Sequence, residues 1–190
     1  MQNNKDKNYP KIKEATCPTC PTCPTCPTCS NPTQMIQNNQ SSMVFILPFL
    51  YLGNAQNAYN LNELKENNIK FIVNASIELE NKFPETIRYY RTNWIDHPQQ
   101  NILHHLDEAV NFIHKAVKHK RVVLVHCFMG RSRSVSIILA YLMRHHKMTL
   151  NQALSYVFRL KSSIAPNVGF LTQLSSWVRN REVTGKTSRK

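Results

Sequence analysis

The stretch Val122-Val123-Leu124-Val125-His126-Cys127-Phe128-Met129-Gly130-Arg131-Ser132-Arg133-Ser134 changes character twice. Val122 to Val125 is an unbroken apolar run rich in β-branched residues, the pattern of a strand buried on both faces of an α/β sheet. Gly130 then permits a tight backbone turn. From Ser132 or Arg133 onward the spacing becomes helical, with Val135, Ile138, Leu139 and Leu142 on one apolar face. Strand, short loop and helix in this order turn several backbone N–H groups inward and set the positive end of a helix beside them. Such a loop is a nest for a tetrahedral dianion, so Phe128, Met129, Gly130, Arg131, Ser132 and Arg133 are the expected phosphate-binding positions.

The same surroundings favour the thiolate form of Cys127. Arg133 can grip two phosphate oxygens with its planar fork, which a lysine cannot. One loop that stabilises both a sulfur anion and a phosphate points to attack of Cys127 on phosphorus and a cysteinyl-phosphate intermediate. Cys-x5-Arg alone also occurs by chance, as a buried cysteine near a surface arginine. His126 before the cysteine, Ser134 after the arginine and the strand–loop–helix frame shift the weight to chemistry.

His-Cys-x5-Arg-Ser resembles the signature of the cysteine-dependent protein phosphatases. The form His-Cys-x-x-Gly-x-Ser-Arg-Ser resembles their dual-specificity branch, in its small stand-alone type. The likeness extends over residues 43–180, where Leu50-Tyr51-Leu52-Gly53, Ala140-Tyr141-Leu142-Met143 and Pro166-Asn167-x-Gly169-Phe170-x-x-Gln173-Leu174 stand in family order. It implies hydrolysis of phosphotyrosine and of phosphoserine or phosphothreonine in phosphorylated proteins. There are departures. Met129 occupies a position usually smaller or acidic, and Lys161-Ser162-Ser163 stands where the family often has paired arginines.

A departing ester oxygen needs a proton, so a carboxylic acid should face Cys127. Beyond the N-terminal tail the only aspartates are Asp96 and Asp107. Asp107 lies within a helical pattern, where a solvated surface role is the better reading. Asp96 lies on the polar loop Trp94–Gln100, which can swing a carboxyl group over a phosphate; as a plain turn residue it would be an Asx turn. The resemblance also places the general acid there, and the same group later acts as base for the hydrolytic water. Ser134 can donate to the Cys127 sulfur or cap the backbone. His126 is expected to order the loop by hydrogen bonding, and the resemblance suggests that Asn167 braces it. The other histidines (His104, His105, His114, His119, His145 and His146) read as surface residues, and neither a metal nor a cofactor is expected.

With 190 residues the chain can build one domain with a real core. Its formal charge is +13, with an excess of seven positive charges over residues 43–178. That suits an anionic substrate, but equally a nucleic-acid surface or plain solubility. Met43–Leu52, the longest apolar run, holds Pro48 and is too short to span a bilayer; it reads as two strand pieces joined at Leu47-Pro48. The N-terminus is polar, without a signal-peptide pattern. A reducing compartment is expected, the cytoplasm with the nucleus as alternative.

Residues 1–42 lack apolar periodicity and are expected to be disordered. Within them Cys17, Cys20, Cys23, Cys26 and Cys29 repeat with Pro-Thr between. Polyproline II geometry spaces such cysteines by about 9 Å, too far for disulfides or zinc. A spacer is therefore favoured over metal binding, oxidation or acylation. Residues 43–180 form the expected catalytic domain and 181–190 a basic flexible tail. Within the domain the patterns predict a strand at 50–53, a short helix from Ala55, and a helix over Leu61–Asn67 opened by an Asn60-x-x-Glu63 capping box. They further predict strands at 71–74 and 87–92, and a helix carrying Leu103, Leu106, Val110, Ile113 and Val117. Thr149-x-x-Gln152 caps a helix to about Leu160, and a last helix buries Phe170, Leu171, Leu174, Trp177 and Val178. The fold class is α/β, a central mostly parallel, mixed sheet of four to five strands flanked by helices, of the phosphatase type. The alternatives are an RNA 5′-triphosphatase or phosphoinositide phosphatase on the same fold, and a non-catalytic phospho-binding module. Nucleic acid is a disfavoured partner, because the loop offers one extra cation, Arg131, and no lysine.

Overall fold

A computed structural model describes residues 42–184, with side chains to Trp177. The expectations for residues 1–41, including the cysteine repeat, for 185–190, and for the Val178 side chain lie outside the described residues. Strands β1 (Val44–Leu47), β2 (Leu50–Gly53), β3 (Ile69–Asn74), β4 (Arg88–Arg91) and β5 (Val122–His126) form one sheet in the order β1-β2-β5-β3-β4. β1 is antiparallel to β2 across the Pro48-Phe49 turn, and the remaining pairs are parallel. The mixed, mostly parallel sheet is as expected. β5 lies at its centre, which is why its sequence is apolar on both faces.

Leu124 packs with Ala58, Leu64, Ile69 and Ile72 on one face, under the short helices α1 (Ala55–Tyr59) and α2 (Leu61–Glu66). Val123 and Val125 face the larger core, built by α3 (Leu103–Lys118), α4 (Arg133–His145), α5 (Leu150–Leu160) and α6 (Val168–Thr184). α4 departs from the one-sided helix that its spacing predicts. It is buried from Arg133 through Met143, because α3, α5 and α6 surround it. Its serines survive there by local bonding: Ser136 Oγ donates to the Ser132 carbonyl at 3.0 Å.

Helix starts follow the expected chemistry, with one exchange. Thr149 and Gln152 form the capping box of α5. Asn60 caps α2, but Glu63 does not reciprocate; its carboxylate accepts from the Met43 N–H at 2.9 Å and from Asn57. The reciprocal box is instead Asn54 with Asn57, at the start of α1. Three of the histidines read as surface residues, His105, His114 and His145, are half-buried, and the rings of His114 and His145 stack at 3.9 Å. Asp107 pairs with Arg144 at 3.0 Å. No helix among the described residues is long and apolar enough to cross a membrane.

Registry positions the site. Gly53, His126, Asn74 and Arg91 pair in one row at the C-terminal edge of the parallel strands. Loops leaving this row converge above it, where α/β sheets bind ligands.

Candidate active site

Cys127 follows β5 directly and is 1% exposed. Its Sγ lies 3.2 Å from Ser134 Oγ on the first turn of α4, and the Gly130 N–H donates to it at 3.3 Å. The loop can fold back this tightly because Gly130 takes φ +66°, and because a Cβ there would stand 2.5 Å from the Gly53 carbonyl oxygen. The close approach leaves no room for any Cβ, and the positive φ adds strain for most side chains. The loop is further strapped to its surroundings by Ala55 N–H to the Phe128 carbonyl (3.0 Å) and Ala165 N–H to the Arg131 carbonyl (2.8 Å). Arg131 Nε reaches the Ser163 carbonyl at 2.7 Å.

Arg133, 6% exposed, points back under the loop. Its Nη1 and Nη2 each donate to one oxygen of Glu78 at 2.6 Å, and Nη1 also meets the Trp94 carbonyl at 3.1 Å. Glu78 therefore takes the outer end of the fork. The Nε edge, with the second Nη2 hydrogen, is left for an anion, and Nε makes no hydrogen bond there although it is buried. Burial alone would make the guanidinium easier to deprotonate; Glu78, Cys127 and Asp96 outweigh it and hold Arg133 firmly cationic. Burial likewise raises the Glu78 carboxyl, and the Arg133 bonds and charge more than reverse this, leaving it below the ordinary carboxylate range.

Glu78 is the residue that sequence reading missed. The signal was available in Asn74-x-Ser76. Buried Asn74 accepts from Ser76 N–H and Oγ and donates to the Leu79 carbonyl at 2.8 Å, curling residues 75–79 so that Glu78 faces Arg133.

Asp96 stands opposite. Its Oδ1 accepts from Ser132 Oγ at 2.7 Å and from Asn167 Nδ2 at 2.8 Å, while Oδ2 lies 3.6 Å from Arg133 Nε. Asn167 also caps α6, its Oδ1 accepting from Phe170 N–H at 2.9 Å. Polar composition reads the Asp96 loop as free to swing, but the structure clasps it. A Cβ on Gly169 would overlap the Pro98 carbonyl oxygen, so α6 touches the loop backbone directly. Gln173 bridges its far end, donating to the Gln100 carbonyl (2.8 Å) and accepting from Ile102 N–H (2.9 Å). Trp94 packs on Phe170 beneath. Pro166-Asn167-x-Gly169-Phe170-x-x-Gln173 is thus the grip on the Asp96 loop.

His126 is wholly buried. Neither ring nitrogen has a hydrogen-bond partner of good geometry, so the expected side-chain bond to the loop is not made. Burial, aided by the Arg133 charge and opposed by the Cys127 backbone, lowers its pKa to about 4 and keeps the ring neutral. Its backbone does order the site, since the His126 carbonyl accepts from Ala75 N–H at 2.8 Å.

Cys127, Phe128, Met129, Arg131, Ser132, Arg133 and Asp96 line, with Ala165, one pocket of about 410 Å³. Phe128 and Met129 are its exposed apolar rim, at 53% and 58%. Lys161, placed outside the loop by sequence, comes near enough to feel the Cys127 sulfur and Arg131. Ser134 and Asn167 lie just behind the walls. Among the described residues no cluster of His, Cys, Asp or Glu could hold a metal ion.

The dual specificity phosphatase catalytic domain model matches residues 50–180. The chain is 41% identical over 143 residues to Protein phosphatase Slingshot homolog 3 of Mus musculus, covering 75% of this chain and 22% of that protein. Over 132 residues it is 39% identical to Protein phosphatase Slingshot of Drosophila melanogaster, covering 70% and 13%. The chain spans less than a third of the length of the curated relatives it matches. The crystal structure of human DUSP28 superposes with a TM-score of 0.70 at 29% identity, covering 74% of this chain and 99% of that one. With the matched segment running from β2 into α6 and enclosing every loop of the pocket, the chain belongs to the dual specificity phosphatase family.

Proposed function

We propose that this chain hydrolyses phosphotyrosine and phosphoserine or phosphothreonine in proteins, with residues 43–180 as the catalytic unit and 1–42 and 181–190 as tails. One observation carries the reading: the Cys127 sulfur, the Nε edge of Arg133, which makes no hydrogen bond, and the Asp96 carboxyl line a single pocket of about 410 Å³. Arg133 and the backbone N–H groups of residues 128–133 other than Gly130, whose N–H goes to the sulfur, hold the three non-bridging oxygens. The Cys127 thiolate forms the S–P bond as the P–O ester bond breaks, and Asp96 gives its proton to the departing oxygen.

In the second step water attacks phosphorus, Asp96 takes its proton, and the S–P bond breaks to regenerate the thiolate with release of phosphate. Ser134 Oγ supports that leaving sulfur. With Oδ1 of Asp96 held by Ser132 and Asn167, Oδ2 is the oxygen that carries the proton. His126 acts through its backbone and its neutral bulk, not as a base. The thiolate chemistry fits a reducing compartment such as the cytoplasm. The family relatives are protein phosphatases, so the RNA 5′-triphosphatase and phosphoinositide readings have the weaker support.

The test is hydrolysis of phosphotyrosine and phosphothreonine peptides beside Cys127→Ser. Turnover drops at least about 10⁴-fold in the variant while peptide binding persists. Equal rates in the two proteins would remove the cysteine from the reaction.

A further inference from the structure

The other end of the sheet carries a charged feature that the phosphatase reading does not use. His114-Lys115-Ala116-Val117-Lys118-His119-Lys120-Arg121 closes α3 and leads into β5. Lys115, His119 and Arg121 stand with Arg88 around a groove of about 440 Å³ whose remaining walls are Phe71, Phe112 and Ala116. All four basic residues are exposed. The two phenyl rings lie 5.7 Å apart and half-buried at the floor, and the Arg88 guanidinium sits 5.9 Å from the centre of the Phe71 ring. None of these four side chains forms an ion pair with a carboxylate of the described residues. Lys118 and Lys120 add exposed charge alongside. Arg88 begins β4 and Arg121 precedes β5, whereas the pocket opens where these strands end.

We propose that this groove docks an acidic protein segment, an extended stretch of Asp and Glu with one apolar side chain that rests on the paired rings of Phe71 and Phe112. Charge selects this occupant. The chain's own ends are poor candidates, since residues 1–42 and 185–190 are each net basic, and a second copy of a +13 chain is repelled overall. A duplex or a bilayer surface meets only the rim of such a groove and leaves its aromatic floor uncovered. A peptide side chain reaches the floor while neighbouring carboxylates meet the rim. Docking there, away from the reacting centre, tethers a phosphorylated partner and raises its effective concentration at the pocket.

The probe is a fluorescent peptide of Glu and Asp flanking a single Leu, titrated into the full chain and into Lys115→Glu/Arg121→Glu. Two reversed surface charges weaken binding at least about tenfold, and turnover of p-nitrophenyl phosphate is unchanged. Joined to a phosphopeptide, the same segment lowers KM in the wild type but not in the variant, with kcat equal in both. Lys115→Gln/Arg121→Gln repeats the binding test with a milder change and shows the same direction. Equal binding by wild type and variant overturns the proposal. So does equal wild-type affinity for a counterpart with Ser in place of Leu, which shows bare charge attraction. Tighter, Lys115-dependent binding of an RNA oligonucleotide or of phosphatidylserine vesicles overturns it in favour of those ligands. The binding arm involves no turnover, so it stands or falls separately from the proposed phosphatase reaction.

Discussion

The loop that bears Cys127 and the loop that bears Asp96 touch, but they are built in opposite ways. The cysteine loop is shaped mostly by contiguous sequence, one buried strand, one glycine at φ +66° and one helix start, with Ala55 and Ala165 strapping it from outside. The aspartate loop has only a small turn of its own, with Gln100 N–H donating to the His97 carbonyl at 3.0 Å and Ile95 N–H to the Gln100 side chain at 3.3 Å. Its shape is imposed by Ser132, Asn167, Gly169 and Gln173, which lie between 36 and 73 residues away along the chain. The difference separates two kinds of fragility. Damage to the first loop should show in the reactivity of the sulfur, and damage to the second in proton transfer alone.

Asp96→Asn offers the sharpest division. It keeps the shape of the side chain and removes the transferable proton. The kcat for phosphopeptides falls about 10²–10⁴-fold, the loss shrinks for dinitrophenyl phosphate, whose leaving group needs no proton, and alkylation of Cys127 by iodoacetate keeps its wild-type rate. Slowed alkylation would mean that the two loops are one unit. Gly169→Ala acts through geometry, pressing a methyl against the Pro98 carbonyl. Relieving that overlap moves the loop by about 1 Å, which costs about a hundredfold in kcat, again with alkylation unchanged.

The last effect is on stability rather than rate, and concerns the strand side. A His126 ring held neutral down to about pH 4, against an ordinary value of 6.5, is protonated in the unfolded chain first. Stability is therefore complete above about pH 6.5 and is lost as pH falls from there toward 4, by at most about 1.4 kcal/mol per pH unit. His145, lowered to about 4 chiefly by burial, works in the same direction. Urea titrations across that range measure the slope, and His145→Asn should leave the His126 share of it intact.

The two loops also explain what could be read from sequence. Cys127, Arg133 and Ser134 were legible because the elements that place them are neighbours in the chain, with apolar run, glycine and helical spacing in unbroken order. Asp96 was legible by elimination and resemblance, but not the grip around it. Asn167, Gly169 and Gln173 carry no periodic signal, and their partners are backbone carbonyls and N–H groups rather than matching side chains. Glu78 escaped for a related reason: an acid on an exposed turn looks like surface until Asn74 is seen to bend that turn onto Arg133. The full burial of α4 was hidden because three helices close around it from different parts of the chain.

With the Asp96 carboxyl held by Ser132 and Asn167 at the pocket wall, the proposed reaction asks the substrate to bring its phosphate to the carboxyl. Chain termini and slack surface segments can extend a phosphorylated side chain far enough to meet that demand. A residue lying flat on a rigid domain is the poorer fit, so on the proposed reaction the expected targets are phosphorylated side chains on protruding segments.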